Sequence, residues 1–337
     1  MPTISDVLSI LPWMFPLKLP RENKNLGVIF PSKMKTPIFQ VKLDDVQDPL
    51  KLNNFGKIGD HEFATSRYVC DEYVVQQNFL VRLYELDIHQ KASLEALLNY
   101  TEETSVNLCK SSGLVVGGFG VPKEMSSRNL IWVIGRMQVI VNSYPSWGDI
   151  VKVETWCSAL GKHTLTCSSR LTDTKTGKKL MRVDSDFLMI NEKTRRLSRI
   201  PEEIKARGEP YVRNLDPLPI DNKFENSGKL QKIYEDKADH VQNGIKPLWF
   251  DLDPNQHAHN VKYISWILEG TPESVREKCE LEAIILEYRR ECGREDVLKS
   301  LSVASNGTPQ EFHHLLLLEN GTEVARARTL WRSQSIK

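Results

Sequence analysis

The 337-residue sequence lacks the features of a membrane-spanning, disulfide-rich or zinc-binding protein. It has no run of about 18 apolar residues, which a helix needs to cross a bilayer. Its six cysteines are scattered without a CxxC pair, so zinc-ligand spacing and a dense disulfide framework are both absent. We therefore expect mostly reduced thiols, no transmembrane segment, no metal and no cofactor.

An excess of charge of one sign is also missing. The chain has 45 Lys and Arg against 44 Asp and Glu, a net charge of +1. Nucleic-acid binding needs a clear basic excess, so we expect no nucleic-acid partner. A local basic patch for an acidic partner stays open.

The first residues do not read as a secretory signal. The most apolar stretch, Val7 to Leu19, is short and interrupted by prolines, and Asp6 stands where a basic region should be. The first residues, to about position 40, are richer in Lys and Arg than in Asp and Glu, as transit peptides are, but they lack the serine richness. Targeting is left open, and residues 1–72 are interpreted as an N-terminal arm of low order.

Regular structure is expected from about Tyr73 onward. Phe79–Tyr84 predicts a strand, and apolar residues at helical spacing predict a long helix from about Ser93. Four strand-like runs follow, at Leu130–Val141, Val151–Trp156, Thr164–Leu171 and Leu180–Ile190. The last two flank a turn signal that ends at Gly177.

The same pattern recurs after a proline-rich segment, residues 206–236, which we interpret as a linker. Pro247–Phe250 predicts extended backbone, a stripe from Tyr263 to Leu268 predicts a helix, and Ala283–Tyr288 predicts a strand. A hairpin signal, Glu319-Asn-Gly321, closes the second copy.

Two copies of strand, long helix and antiparallel meander thus follow one another. The segment Tyr84–Asp87 parallels Trp249–Asp253, and each precedes a helix. One helix can cover the apolar face of each sheet. We therefore predict an α+β fold of tandem hot-dog domains, each an antiparallel sheet wrapped around a long central helix, at residues 73–205 and 237–334. Two copies in one chain would mimic a hot-dog dimer.

The densest polar cluster precedes the second helix and contains Asp253, Asn255 and His257. In extended backbone these three side chains would share one face, and Pro254 favours extended backbone at the residue before it. The N–H groups at the start of the helix, near Val261, would suit a developing oxyanion. A helix-capping loop explains the same residue types equally well.

A second cluster, Glu291 and Cys292, ends the strand after that helix. The predicted fold brings both residues toward the helix start, although an exposed strand edge would explain them when they are considered alone. The acidic and histidine residues of the two clusters match no established metal-site spacing. His313 and His314 lie in a strand and are predicted to be structural.

The chain resembles the plant acyl-acyl-carrier-protein thioesterases, nearer the saturated-acyl FatB class than the FatA class. The segments that carry the resemblance run in order from about residue 75 to the C-terminus. They are Asn129–Val133, Arg136–Val139, Tyr144–Asp149, Asn191–Glu203, Asp251–His257, Asn260–Glu269 and Leu286–Gly293.

The resemblance implies tandem hot-dog domains, an acyl chain carried on acyl carrier protein as substrate, release of free fatty acid, and a location in the plastid stroma. It implies that Asp253, Asn255, His257 and Glu291 are catalytic, and that Cys292 matches the thiol of an alternative nucleophile scheme. It also implies that the first domain shapes the acyl tunnel. Whether the whole chain forms a homodimer stays open.

The carrier is acidic, so a basic segment near the end of the first domain is a candidate docking site. This segment contains Lys193, Arg195, Arg196 and Arg199. A solvated turn explains any one of these residues taken singly.

The chain departs from the resembled pattern at several positions. Ala258 and His259 stand where the family has Val and Asn, residues 163–169 replace an Arg-Arg-Asp-Trp run, and residues 185–191 differ as well. These changes leave chain-length preference open. They also motivate an alternative, a non-catalytic acyl-binding paralogue.

Two mechanisms fit the residues. In one, a Cys292 thiolate attacks the thioester with His257 as base and Asn255 orienting it. In the other, Glu291, together with Asp253, activates water while the helix start supports the oxyanion. We favour the second, because an adjacent carboxylate raises the pKa of a thiol. Two carboxylates with Asn and His also suit hydrolysis better than the His-carboxylate pair of a hot-dog dehydratase.

Overall fold

The structure is a computed structural model that describes residues 69–71, 73–116, 120–215, 230–305 and 308–334. All of these residues belong to one compact unit. The predicted arm, residues 1–72, lies outside the described residues except for 69–71, and so do residues 216–229 of the predicted linker.

Within this part of the chain, the helices are α1 (Leu94–Ser111), α2 (Lys123–Ser126), α3 (Glu202–Gly208), α4 (Asn260–Glu269) and α5 (Glu273–Lys278). The strands are β1 (Val69–Asp71), β2 (Val74–Leu80), β3 (Leu130–Val141), β4 (Ile150–Leu160), β5 (Thr164–Asp173), β6 (Lys179–Asn191), β7 (His240–Ile245), β8 (Cys279–Tyr288), β9 (Leu298–Ser305), β10 (Thr308–Leu318) and β11 (Glu323–Ser333). Short 3₁₀ turns lie at Leu83–Glu85, Glu209–Tyr211, Glu235–Lys237 and Trp249–Asp251.

The strands form one antiparallel sheet in the order β1-β2-β4-β5-β6-β3-β8-β11-β10-β9-β7. The order β2-β4-β5-β6-β3 in the first half is repeated as β7-β9-β10-β11-β8 in the second. Strands β3 and β8 join the halves, with Arg136 opposite Glu287 and Ile140 opposite Ala283. The internal repeat and the α+β fold predicted from the sequence are therefore confirmed.

One helix of each half packs on the inner face of the sheet. Helix α1 begins at its predicted position, where the Ser93 hydroxyl accepts a hydrogen bond from the N–H of Ala96 at 3.2 Å. Helix α4 is only ten residues long, because the chain turns at Gly270 and Pro272 prevents the helix from continuing. The two helices contact each other, and Leu97 and Ile267 belong to one apolar core shared by both halves.

The predicted hairpins are confirmed. Gly177 has φ +72° between β5 and β6, and Gly321 has φ +81° between β10 and β11. Glycine adopts this left-handed backbone without the steric cost that a Cβ would bring. The turn residues in the sequence therefore located both hairpins correctly.

Two segments predicted to be extended are 3₁₀ turns instead. The predicted strand Phe79–Tyr84 ends at Leu80, and Trp249–Asp251 replaces extended backbone in the second half. In each case a carboxylate closes the turn: Glu85 accepts from the N–H of Arg82 at 2.7 Å, and Asp251 accepts from the N–H of Leu248 at 2.8 Å. These local side-chain bonds outcompete strand pairing.

The segments that depart from the resembled pattern are neighbours in the sheet. Thr166 on β5 lies opposite Asp186 on β6, and its hydroxyl donates to that carboxylate at 2.7 Å. Two residues further along β5, the Ser168 hydroxyl donates to Asp184, its partner on β6. The changed residues of one strand are thus hydrogen-bonded to the other, and the sheet continues through both.

The segment that enters the second half lies on the outer face of the sheet. Leu230 is buried against Ala283 and Ile285, and Ile233 is buried against Leu301 and nearby strand residues. Helix α3 runs past the predicted boundary at residue 205 and ends at Gly208. The domain boundaries given by the sequence stay predictions.

Candidate functional site

The segment from Asp253 to His257 is a closed loop, not the extended run predicted from the sequence. The N–H of Asp253 donates to the carbonyl of His257 at 2.7 Å, and Gln256 has φ +65°. Asp253, Asn255 and His257 therefore do not line one face of a strand. Pro254, which suggested extended backbone, is equally compatible with this turn.

The carboxylate of Asp253 holds the loop together from inside. Its Oδ1 accepts hydrogen bonds from the backbone N–H groups of Asn255 at 2.8 Å and His257 at 3.0 Å. Its Oδ2 accepts from the Nδ2 of Asn255 at 3.3 Å. Asp253 thus fixes the backbone of the loop and orients the amide of Asn255.

The chain after β8 runs alongside this loop. The N–H of Ala258 donates to the carbonyl of Cys292 at 2.7 Å, and His257 forms a β-bridge with Gly293. The carboxylate of Asp296 accepts from the N–H of Gly293 at 2.8 Å and holds the second segment in place. The two clusters found in the sequence are therefore brought together.

Glu291 and His257 form the accessible part of the site. The Oε2 of Glu291 lies 3.8 Å from the Nδ1 of His257 and 2.7 Å from the Nη2 of Arg195. The side chains of His257 and Glu291 are 43% and 39% exposed. Both groups can therefore meet water and an incoming substrate.

Cys292 is next in sequence but is only 1% exposed. Its thiol donates to the hydroxyl of Tyr263 at 3.3 Å, and its N–H donates to the same hydroxyl at 3.0 Å. Burial raises the pKa of the thiol to about 11, and the carboxylates of Asp296 and Glu291 act in the same direction. Such a group is a poor nucleophile near neutral pH, because only the thiolate attacks.

Polar contacts with α1 hold the start of α4, and sequence reasoning missed them. The Nε2 of His259 lies 3.2 Å from the Oε2 of Glu102, and this hydrogen bond raises the pKa of the imidazole. The Nζ of Lys262 lies 2.6 Å from the Oε1 of Glu95 and 3.3 Å from Asp251. The first half therefore supports the loop that carries His257.

The first half contains a structural counterpart of this loop. The N–H of Asp87 donates to the carbonyl of Lys91 at 2.7 Å, and Gln90 has φ +60°. The Oδ1 of Asp87 accepts from the N–H groups of His89 at 2.9 Å and Lys91 at 3.0 Å. The hydrogen bonds between Asp253 and the backbone of its loop are thus reproduced one by one, so the loop is a property of the repeated fold.

The chemistry of the two loops differs. Lys91 stands where the second half has His257, and its Nζ donates to the hydroxyl of Ser146 at 3.0 Å. Ser146 is the bridge partner of Lys91, and Gly293 is the bridge partner of His257. Tyr144 lies two residues before Ser146, just as Glu291 lies two residues before Gly293, so Tyr144 stands where the second half has Glu291. The imidazole and carboxylate pair is therefore specific to the second half.

His314 lies away from these loops, in the interior of the second half. It is fully buried, and its Nε2 lies 2.8 Å from the hydroxyl of Thr329. Burial lowers the pKa of His314 to about 3, so the ring is neutral at ordinary pH.

Within the ranges that the structure describes, no three His, Cys, Asp or Glu side chains gather as a metal site. Nor does any helix there have the length and apolarity needed to cross a membrane.

Comparison with protein families gives two matches that follow the two halves. The model of the acyl-ACP thioesterase N-terminal domain matches residues 72–207. The model of the acyl-ACP thioesterase C-terminal domain matches residues 234–333. The loop of Asp253 and the segment of Glu291 both fall in the second match.

Two plant proteins illustrate the similarity to full-length relatives. The chain is 46% identical over 283 residues to a chloroplastic palmitoyl-acyl carrier protein thioesterase of Gossypium hirsutum, which is 82% of this chain and 68% of that protein. It is 43% identical over 265 residues to a chloroplastic dodecanoyl-[acyl-carrier-protein] hydrolase of Umbellularia californica, 77% of this chain and 68% of that one.

Solved structures agree with the fold. A 12:0-ACP thioesterase from Umbellularia californica superposes with a TM-score of 0.71 at 39% identity, covering 78% of this chain and 99% of that chain. An acyl-ACP thioesterase from Bacteroides thetaiotaomicron gives 0.64 at 18% identity, covering 77% and 98%, which supports the fold alone.

Proposed function

This chain belongs to the acyl-ACP thioesterase family, and from that premise we propose how its site hydrolyses the thioester of a fatty acyl group on acyl carrier protein. The reaction releases free fatty acid and so ends chain elongation. The named relatives are chloroplastic, and this chain acts in the same compartment. The enzyme is a thioester hydrolase.

The observation that carries the mechanism is the accessible pair of Glu291 and His257 beside a buried Cys292. Glu291 takes a proton from water, and the oxygen of that water attacks the thioester carbon. The tetrahedral oxyanion then collapses, and the carbon–sulfur bond breaks. The departing carrier thiolate takes the proton that Glu291 received from water, which returns Glu291 to its carboxylate form. The Nδ1 of His257 lies 3.8 Å from the Oε2 of Glu291, so a small side-chain movement would bring the imidazole within hydrogen-bond reach for this return of the proton.

We propose that hydrogen-bond donors at and just before the start of α4 stabilise the oxyanion. The amide of Asn255 is fixed by Asp253, and the first N–H groups of α4 carry the positive end of the helix dipole. Asp253 acts by holding this loop, because its oxygens accept from the loop itself. Glu291 is then the carboxylate that activates water.

The first half serves binding in this proposal. Its counterpart loop has Lys91 and Tyr144 in place of the imidazole and carboxylate, so of the two loops only the one in the second half carries the reactive pair. The acyl chain, which we propose to be saturated, lies between α1 and the sheet of the first half. Since the paired halves already supply a hot-dog pair, the reaction does not require a homodimer.

The test is turnover of purified protein on saturated acyl-carrier thioesters of 8 to 18 carbons, compared with the variant Glu291→Gln. Loss of the general base should lower kcat by about 10²- to 10⁴-fold at every chain length. Glu295→Gln, a change of the same type at an exposed position of the following turn, is the matched control and should keep full turnover. Wild-type turnover in Glu291→Gln would overturn the mechanism.

A further inference from the structure

One contact of the site comes from the first half and lies 96 residues away in sequence. The Nη2 of Arg195 donates to the Oε2 of Glu291 at 2.7 Å. Arg195 belongs to the basic segment that the sequence suggested as a carrier-docking site. Its guanidinium instead meets the carboxylate to which the proposed function gives the role of base.

The turn that presents Arg195 is held by its own hydrogen bonds. The N–H of Arg195 donates to the carbonyl of Asn191 at 2.8 Å, and the N–H of Thr194 donates to the Asn191 side-chain oxygen at 2.9 Å. Arg195 has φ +56°, a left-handed backbone that side chains other than glycine adopt at a cost. The turn therefore fixes the backbone from which the Arg195 side chain extends.

We propose that Arg195 is a positioning residue that holds Glu291 for catalysis, so that the active site is completed by the first half. The proposal rests on the proposed function, in which Glu291 activates water. Arg195 and His257 both approach Oε2. In the described part of the chain, no hydrogen bond engages Oε1, which is the oxygen left to accept from water.

The exposure of Glu291 explains why it needs such support. A carboxylate that is 39% exposed can rotate into solvent unless a partner fixes it. The Nδ1 of His257 is 3.8 Å away, too far for a hydrogen bond. The guanidinium at 2.7 Å is the contact that fixes the rotamer. Arg195 is itself 47% exposed, so the pair should contribute little to global stability.

The experiment compares Arg195→Ala, Arg195→Lys and the matched control Arg128→Ala, each with and without Glu291→Gln. Arg128 is a similarly exposed arginine of the first half, and its carboxylate partner is Glu203. Two substrates are used: the acyl-carrier thioester and an acyl-pantetheine thioester that lacks the carrier protein. Folding of each variant is checked by its thermal melting midpoint. Arg195→Lys keeps the charge and gives a second measurement should Arg195→Ala unfold.

We expect Arg195→Ala to lower kcat by roughly 10-fold on both substrates with KM changed less than about 2-fold, because misplacement of a catalytic group affects the chemical step. Arg195→Lys should recover part of the loss, and Arg128→Ala should keep kcat. In the Glu291→Gln background, Arg195→Ala should cause no further loss.

Other outcomes overturn the proposal. A rise in KM for the carrier substrate alone, with kcat kept, would assign Arg195 to carrier docking. An equal loss with and without Glu291→Gln would show that Arg195 does not act through Glu291. Full turnover in Glu291→Gln would instead overturn the proposed function, so the two failures are distinguishable.

Discussion

Replacing Cys292 with alanine separates the two mechanisms that the sequence left open. With a pKa of about 11, about one thiol in 10³ is ionised at pH 8. The thiol is also only 1% exposed, behind the ring of Tyr263. We therefore expect Cys292→Ala to retain kcat within about 3-fold, because the water mechanism does not use the thiol.

The structural cost of this substitution should be small. Removing one buried sulfur atom is comparable to removing a methyl group and should lower the free energy of unfolding by about 1 kcal/mol. The hydroxyl of Tyr263 keeps two partners, since it accepts from the N–H of residue 292 at 3.0 Å and donates to the carbonyl of Arg290 at 3.3 Å. No buried polar group is left unpaired.

The assay measures kcat and KM on an acyl-carrier thioester from pH 6 to 9, with urea unfolding as the check on stability. The water mechanism predicts that Cys292→Ala and wild type have parallel pH profiles. A loss of 10³-fold or more in kcat, with unfolding changed by no more than about 1 kcal/mol, would refute the reasoning and restore the thiol as nucleophile. Cys292→Ser, which keeps the size of the side chain, should behave like the alanine variant.

Two further predictions follow from the repeated loop and the buried histidine. Asp87→Ala and Asp253→Ala each remove a carboxylate that accepts hydrogen bonds from two backbone N–H groups, and each should lower the free energy of unfolding in urea by about 1–2 kcal/mol. Only Asp253→Ala should lower kcat, and equal kcat losses would contradict this. His314 has a pKa of about 3 in the folded state and near 6.5 in the unfolded state. As pH drops, the unfolded state therefore binds the proton first, and the free energy of unfolding falls below pH 6.5, by about 2 kcal/mol at pH 5. In His314→Gln, the free energy of unfolding at pH 5 and at pH 7 should lack this difference. A variant that keeps the full difference would contradict the role given to His314.

Local signals predicted the elements well where each depends on neighbours in sequence. Helix α1 begins just after Ser93, as predicted, and the glycines at 177 and 321 occupy left-handed turn positions. The repeat was visible for the same reason, since both copies carry the same turn and helix signals in the same order. These features involve residues within a few positions of one another.

The prediction of an extended segment at Asp253 was wrong for a physical reason. Alternation of side chains was the rule applied, but an aspartate can accept hydrogen bonds from the backbone N–H groups that follow it. Asp253 does so twice, and Asp87 does the same in the first half. Comparing the two copies for a shared aspartate would have pointed to a loop.

The sequence by itself determined the repeated α+β architecture and the residue types of the site. The tertiary structure alone decided which of those residues can react. Glu291 and Cys292 are neighbours, yet the carboxylate faces solvent and Arg195, whereas the thiol is buried against Tyr263. Burial and long-range pairing depend on what packs from elsewhere in the chain. Contacts such as Arg195 with Glu291 and Glu102 with His259 therefore cannot be recognised from the local sequence pattern.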